Sequence, residues 1–278
     1  MPALDQLGRW PVGRLAAGVV GPGGTISTAG PTGRPFAWAS LTKMLTALAT
    51  LVAVEETTVT LDEPAGPPGS TLRHLLAHAS GLAVAGESVL APPGTRRIYS
   101  NAGFDVVAEV VAERARMPFG DYVAAGVLGP LGMTATTWGA SGATGVTGPL
   151  DDLLALAGEL ATPTLIAPAT LAEATRPAFG GIAGVLPGFG RHDPNDWGLG
   201  FELRGAKAPH WTGASSSPRT FGHFGRAGGF LWVDPDVDLA CGCLTDRDFG
   251  PWAAEAWPAL TDAILAEHSF RDLAAPES

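Results

Sequence analysis

Apolar positions change their spacing three times along this chain. Residues 15–39 form short apolar runs around the turn Gly21-Pro22-Gly23-Gly24, which predicts brief strands. Residues 40–55 switch to helical spacing, with Met44, Leu45, Leu48, Leu51 and Val52 in phase. That segment is apolar nearly all round, so it is predicted to be a central buried helix. A Pro/Gly-rich loop follows over 61–70. From 71 to about 175 the pattern is mainly helical, with candidate helices at 71–78, 102–115, 119–128, 150–161 and 168–175. Breakers stand at Ala91-Pro92-Pro93-Gly94, Gly129-Pro130 and Pro163. Residues 180–198 read as a long loop. Strand texture returns at 197–203, 219–232 and 237–244, the last two separated by the turn Asp234-Pro235-Asp236, and 251–267 reads as a closing helix. A sheet is thus built from both chain ends with helices inserted between, an α/β chain of the α+β type. The expected units are 1–60 with 180–278 as the sheet part and 61–179 as the helical part, with a site at their seam.

Composition narrows the partners. The formal charge is -10, and the longest basic cluster is Arg96-Arg97, which argues against nucleic acid and against an anionic membrane surface. Hydrophobic residues are 46% and charged residues 16%, the balance of a chain with a large core rather than a disordered one. The 38 glycines and 24 prolines follow no Gly-X-Y period, which excludes a collagen-like chain. Cys241 and Cys243 stand two apart and would share one strand face, poor geometry for a disulfide and too few ligands for zinc, so both are expected to be small core residues. No metal or cofactor is expected. The start, Met1-Pro2-Ala3-Leu4-Asp5, lacks the basic-then-apolar pattern of a leader, and the apolar stretch near 44–54 is too short to span a bilayer. A cytoplasmic protein is the expectation.

Three clusters carry chemistry. In Ser40-Leu41-Thr42-Lys43 the helical spacing puts hydroxyl and amine on one face. Lys43 is the sole charged residue between Phe36 and Val54, and a buried lysine must be paired or lose its proton. A neutral amine beside a hydroxyl is a base beside a nucleophile. Ser40 also falls at the expected helix start, where free N–H groups favour a developing oxyanion. The competing reading is an N-cap serine with a lysine that snorkels outward. Tyr99-Ser100-Asn101 brings a phenol that can relay a proton, or simply a tyrosine opening the 102–115 helix with Asn101 as its N-cap. Gly222-His223-Phe224-Gly225-Arg226-Ala227-Gly228-Gly229 places glycines in an expected strand, where they mark a bulge or a close approach. His223 there is either a chemical group or a hydrogen-bonded core histidine.

Together the clusters, in this order, resemble the signature of penicillin-binding proteins and active-site serine beta-lactamases. The sequence is similar to the beta-lactamase-like serine hydrolases, which include class C beta-lactamases, D-alanyl-D-alanine carboxypeptidases, D-aminopeptidases and family VIII esterases. Further stretches carry the likeness: Leu75-Leu76-Ala77-His78-Ala79-Ser80-Gly81-Leu82, Pro93-Gly94-Thr95 through Asn101, Pro130-Leu131-Gly132-Met133, and Trp197-Gly198-Leu199-Gly200-Phe201. The resemblance covers roughly residues 12–270. It implies an antiparallel sheet flanked by helices, with an inserted all-helical subdomain. It implies that Ser40 is the acylated nucleophile, that Lys43 and Tyr99 share the proton transfers, and that Asn101 orients Lys43 and the substrate carbonyl. His223 would take the place of the lysine of the family's Lys-Thr-Gly strand. The backbone N–H groups of Ser40 and Arg226, beside Gly225, would form the oxyanion hole.

Departures from the pattern shape the expected substrate. Phe224 replaces the small hydroxyl residue that would bind a substrate carboxylate, so an ester or amide with an apolar acyl part fits better. Arg226 or Arg219 remains available for an anion, and Trp38 and Trp211 are candidates to line the acyl pocket. The chain is short for the family, which implies trimmed loops and no added domain, and the absent leader argues against a cell-wall role. His78 is expected to be a helix-end histidine bonding a carbonyl, Asp151-Asp152 a helix N-terminal charge, and Asp246, Arg247 and Asp248 a solvated loop. The reading is a serine hydrolase acting on a small-molecule ester, amide or beta-lactam-like substrate, by hydrolysis or acyl transfer. The alternatives are a true beta-lactamase or D-alanyl-D-alanine peptidase, and a catalytically silent binding module. Oligomeric state stays open.

Overall fold

The computed structural model describes residues 2–272, with side chains to His268. After a 3-10 helix at Ala3–Arg9 come β1 (Leu15–Gly21) and β2 (Gly24–Ala29), joined by the Gly21–Gly24 turn, then a two-residue β3 (Phe36–Ala37). A 3-10 turn, Ala39–Leu41, leads into α1 (Thr42–Glu55). The α-helix therefore begins two residues after Ser40, and Ser40 is not its N-cap. The helical block holds α2 (Leu72–Leu76), α3 (Asn101–Ala115) and α4 (Phe119–Val123), which widens into a π-helical turn at Ala124–Leu128. A short β4 (Thr147–Gly148) pairs with β3, then come α5 (Leu150–Ala161) and α6 (Pro168–Ala174).

The region read as a loop over 180–198 contains a hairpin, β5 (Gly184–Leu186) and β6 (Gly190–His192). Of the strand expected at 197–203, only β7 (Glu202–Leu203) joins the sheet. The single strand expected at 219–232 is two, β8 (Phe221–Phe224) and β9 (Phe230–Asp234), because Gly225 to Gly229 form a tight turn. Within it the Gly225 N–H donates to the Gly229 carbonyl and the Gly228 N–H to the Gly225 carbonyl. β10 (Leu239–Thr245) and α7 (Pro251–Asp272) complete the fold.

The main sheet has the order β2-β1-β10-β9-β8-β7, antiparallel at every pairing, so chain start and chain end lie side by side. This is the antiparallel sheet with flanking helices that the resemblance implies. On one face α5 crosses β1, β10 and β9. Gly18 and Gly242, paired in register, make room for it: a Cβ on Gly18 would lie 2.6 Å from Leu154 Cδ1. So α5, assigned from the sequence to the helical part, covers the sheet instead. The opposite face carries Cys241 and Cys243 against Trp257, Leu260 and Ile264 of α7; both thiols are free and buried. α1 runs through the larger core and packs on α3 and α4, its residues Thr42 to Ala53 all buried. Apolar burial of this extent is the main stabilising term of the fold. Among the described residues no helix is long and apolar enough to cross a membrane.

Candidate active site

Ser40 stands in the 3-10 turn, just after Ala39, whose φ of 47° is a left-handed value uncommon outside glycine. The serine is thereby presented at the mouth of α1 rather than within it. The Tyr99 hydroxyl donates to Ser40 Oγ at 2.8 Å, and Lys43 Nζ donates to it at 3.4 Å. Lys43 does not snorkel: it is fully buried, and Nζ also donates to Asn101 Oδ1 at 2.7 Å and to the Ala143 carbonyl at 3.0 Å. Burial lowers the Lys43 pKa to about 7 against a partial rise from the Asp105 carboxylate. Burial thus brings loss of the amine's proton into the neutral range, and the amine is held by two acceptors beside a hydroxyl.

Each partner has a local cause. Ser100, not Asn101, caps α3: its Oγ accepts from the Gly103 N–H at 3.0 Å. Asn101 is the first residue of α3 and is free to hold Lys43. Tyr99 precedes the cap in extended chain, and burial pushes its phenol up, although the bond to Ser40 works the other way. Residues 142–148 wrap the first turns of α1, with Thr46 Oγ1 donating to the Gly142 carbonyl at 2.6 Å and Trp38 N–H to the Val146 carbonyl at 2.9 Å. This loop of small residues carries no charge, and its role in seating Lys43 had no signal in the sequence.

The end of β8 closes the other side. A Cβ on Gly225 would lie 2.5 Å from the Trp38 carbonyl oxygen and 3.4 Å from Ser40 N, so only glycine lets the β8–β9 turn touch the serine turn. The Arg226 N–H takes no part in the turn's own hydrogen bonds. His223 is buried, and its Nδ1–H donates to the Phe224 carbonyl at 2.7 Å, which leaves Nε2 unprotonated and without a partner among the described residues. Burial, then the nearby Lys43 charge, lowers the His223 pKa to about 3. In place of a lysine's charge this position therefore holds a neutral imidazole.

Ser40, Tyr99, Asn101, His223, Phe224 and Arg226 all line one cavity of about 570 Å³. Its walls are mainly apolar, from Leu186 and Pro187 at the β5–β6 hairpin and from Phe249, Trp197 and Val84. Phe224 packs against Phe249 at 5.1 Å and Phe189 at 5.9 Å between ring centroids. At the rim Arg226 and Asp248 are exposed and 3.6 Å apart, so their charges offset each other there.

Other expectations fall differently. Trp38 is fully buried, its indole N–H donating to the Gly148 carbonyl, and neither it nor Trp211 lines the cavity. Arg219 is bound to Asp236 at 2.7 Å and faces a different groove. Asp246 is less a solvated residue than a tie, accepting from the Gly13 and Arg14 N–H groups. Asp151 and Asp152 lie in the first turn of α5, where Asp152 is also buried and accepts from Thr136 Oγ1. Glu202 is a cavity-lining residue that sequence reasoning passed over, although a carboxylate between Phe201 and Leu203 is a visible anomaly. It bonds Lys207, His210 Nε2 at 2.7 Å and Trp211 Nε1 at 2.8 Å. Among the described residues no three His, Cys, Asp or Glu side chains group to hold a metal ion.

Comparison with known proteins places the fold and the family. The chain superposes on a beta-lactamase from Mycobacterium bovis with a TM-score of 0.94 and 55% identity, over 96% of this chain and 99% of that one. The fold is shared with EstCE1, a hydrolase with promiscuous acyltransferase activity (TM-score 0.78, 18% identity, 94% of this chain and 96% of that one). It is shared as well with a mutant simvastatin synthase from Aspergillus terreus (TM-score 0.77, 16% identity, 96% and 97%). No curated protein sequence matches the chain. The model of the beta-lactamase family matches residues 14–266, and the chain belongs to that family.

Proposed function

We propose that this protein is a serine hydrolase that cleaves a small, uncharged ester or amide through an acyl-Ser40 intermediate. The observation that carries the proposal is the position of Ser40 Oγ, 2.8 Å from the Tyr99 hydroxyl and 3.4 Å from a buried amine, at the wall of an apolar cavity. Ser40 Oγ attacks the acyl carbon while its proton passes to neutral Lys43, directly or through Tyr99. The carbonyl oxygen becomes an oxyanion between the N–H groups of Ser40 and Arg226. On collapse the bond to the leaving group breaks and the proton goes to the departing alcohol or amine. Water, activated by the same amine and phenol, then attacks the acyl-serine ester and restores Ser40. An alcohol in place of water gives acyl transfer, the side activity described for EstCE1. Asn101 holds Lys43 in line throughout.

The walls favour an uncharged acyl group. Phe224 fills the space where a hydroxyl would receive a carboxylate, His223 is neutral, and Glu202 adds a negative wall that its own donors already satisfy. Turnover of p-nitrophenyl butyrate tests the reading: the wild type hydrolyses it, and Ser40→Ala loses the activity by at least about 10³-fold. Equal rates would remove Ser40 from the reaction.

A second reading, cleavage of beta-lactams, draws on the 55% identity to a protein described as a beta-lactamase. Fluorescent penicillin separates the two. Label on Ser40 with release favours the second reading, and ester turnover without penicillin labelling favours the first. A protein that neither turns over ester nor takes any acyl label is a binding module.

A further inference from the structure

We infer that His78 is the positioning residue that sets the Tyr99 hydroxyl on Ser40. This rests on the serine-hydrolase reading. His78 lies outside the cavity, in the turn after α2, 1% exposed. The sequence assigns it a bond to a carbonyl; its ring does the opposite. His78 Nδ1 accepts the Ser100 N–H at 3.1 Å, so the ring proton sits on Nε2. The backbone carbonyl of the same residue accepts the Ile98 N–H at 2.9 Å. One residue therefore holds the chain immediately before and immediately after Tyr99.

The ring also holds the phenol from the side. The His78 and Tyr99 rings are 4.6 Å apart between centroids, while Trp197 at 4.7 Å and Phe104 at 5.1 Å back the imidazole. Tyr99 is thus held at two backbone points and against the His78 ring, with Trp197 and His223 farther out at 5.9 Å each, and its hydroxyl donates to Ser40 Oγ at 2.8 Å. Two chemical features are needed in one side chain: an acceptor at the δ position and a flat aromatic face. Asparagine supplies only the first and phenylalanine only the second. His78 also keeps a φ of 54°, a left-handed backbone that a non-glycine residue adopts at a cost, so the turn is held against its local preference. Three residues on, Gly81 is left-handed too, and a Cβ there would lie 1.9 Å from the Ala91 carbonyl oxygen, which packs this stretch tightly against Ala91.

The chain has two tyrosines, and Tyr122 lies away from the cavity on Glu56. In a Tyr122→Phe background labelled with 3-fluorotyrosine, the single fluorine signal reports Tyr99 alone. The measurements are that spectrum and the kcat and KM for p-nitrophenyl butyrate in His78, His78→Leu and His78→Asn proteins. The expectation for His78→Leu is a displaced or broadened signal and a kcat lowered about 10- to 100-fold, with KM within about twofold. His78→Asn, which keeps the acceptor for Ser100, recovers part of both. An unchanged signal in both variants overturns the inference, whatever happens to the rate. So does a changed signal with unchanged kcat, or a loss that appears in KM alone. If His78→Leu does not fold, His78→Asn against wild type decides by the same readouts. Failure of the serine reading is separate: it appears as full activity in Ser40→Ala.

Discussion

On the proposed mechanism, Lys43 and Asp105 set the pH behaviour of the site between them. The amine must be neutral to accept a proton, and burial brings its pKa to about 7, so kcat/KM should rise with pH through about 7 and level off above. Asp105 raises that pKa, so Asp105→Asn should move the rising limb to lower pH while still accepting from Ser141, which now bonds Oδ1 at 2.6 Å. A pH–rate profile of both proteins checks this; an unmoved limb assigns it to another group. Stability carries the same signature. The folded pKa of about 7 lies below the ordinary 10.5, so between these values the unfolded chain holds a proton the folded one has released, and stability rises with pH across that window. Lys43→Met removes the linkage. Its stability should therefore climb less between pH 7 and 10 than that of the wild type, by up to about 1.4 kcal/mol per pH unit in urea titrations.

Elements place these residues through close backbone approaches more than through side-chain bonds. The β8–β9 turn meets the Ser40 turn only because residue 225 has no side chain. Gly225→Ala should push the two turns apart and lower kcat by about 10²-fold with little loss of secondary structure, read by kinetics alongside circular dichroism. A variant with wild-type kcat would show that the approach is not needed. Much of this level was visible in the sequence. The apolar run of α1 with one lysine and the Tyr-Ser-Asn triplet at the start of a helix lie where the pattern put them. Two things were not visible. A five-residue turn inside 219–232 needs the β9 pairing to exist before Gly225 to Gly229 can be read as anything but strand. The β5–β6 hairpin is bounded by glycines and prolines that read equally well as loop. Lys43 likewise owes one of its acceptors to the backbone of Ala143, a hundred residues on, and a carbonyl leaves no mark in a sequence.

At the scale of the molecule, the sheet brings chain start and chain end together, and a buried charge cluster stands beside the cavity. Burial opposes ionisation of Glu202, but His210 and Lys207 hold its pKa near 2, below the ordinary 4.5. The depressed value means that its contribution is present above about 4.5 and is lost as pH falls through about 2. Glu202→Gln removes the carboxylate that contacts the buried Lys207 ammonium, leaving only the more distant Asp196, and should cost on the order of 3–5 kcal/mol, measured by urea unfolding at neutral pH. A change under about 1 kcal/mol would mean that Lys207 gives up its proton instead. The cluster is also a place where a local chain reversal hid a cavity wall: Glu202 was legible as an oddity, but not its partners, since Lys207 and His210, five and eight residues on, meet it only once the chain turns back after β7.

Convergence of distant segments on one hydroxyl is the claim on which the functional account stands. Intact-mass analysis after brief incubation with an activated ester, quenched in acid and followed by peptide mapping, measures it directly. The account predicts one added acyl mass in the wild type, located on Ser40 and absent from Ser40→Ala. An acyl group on another residue, or a Ser40→Ala protein that labels and turns over as the wild type does, would contradict it.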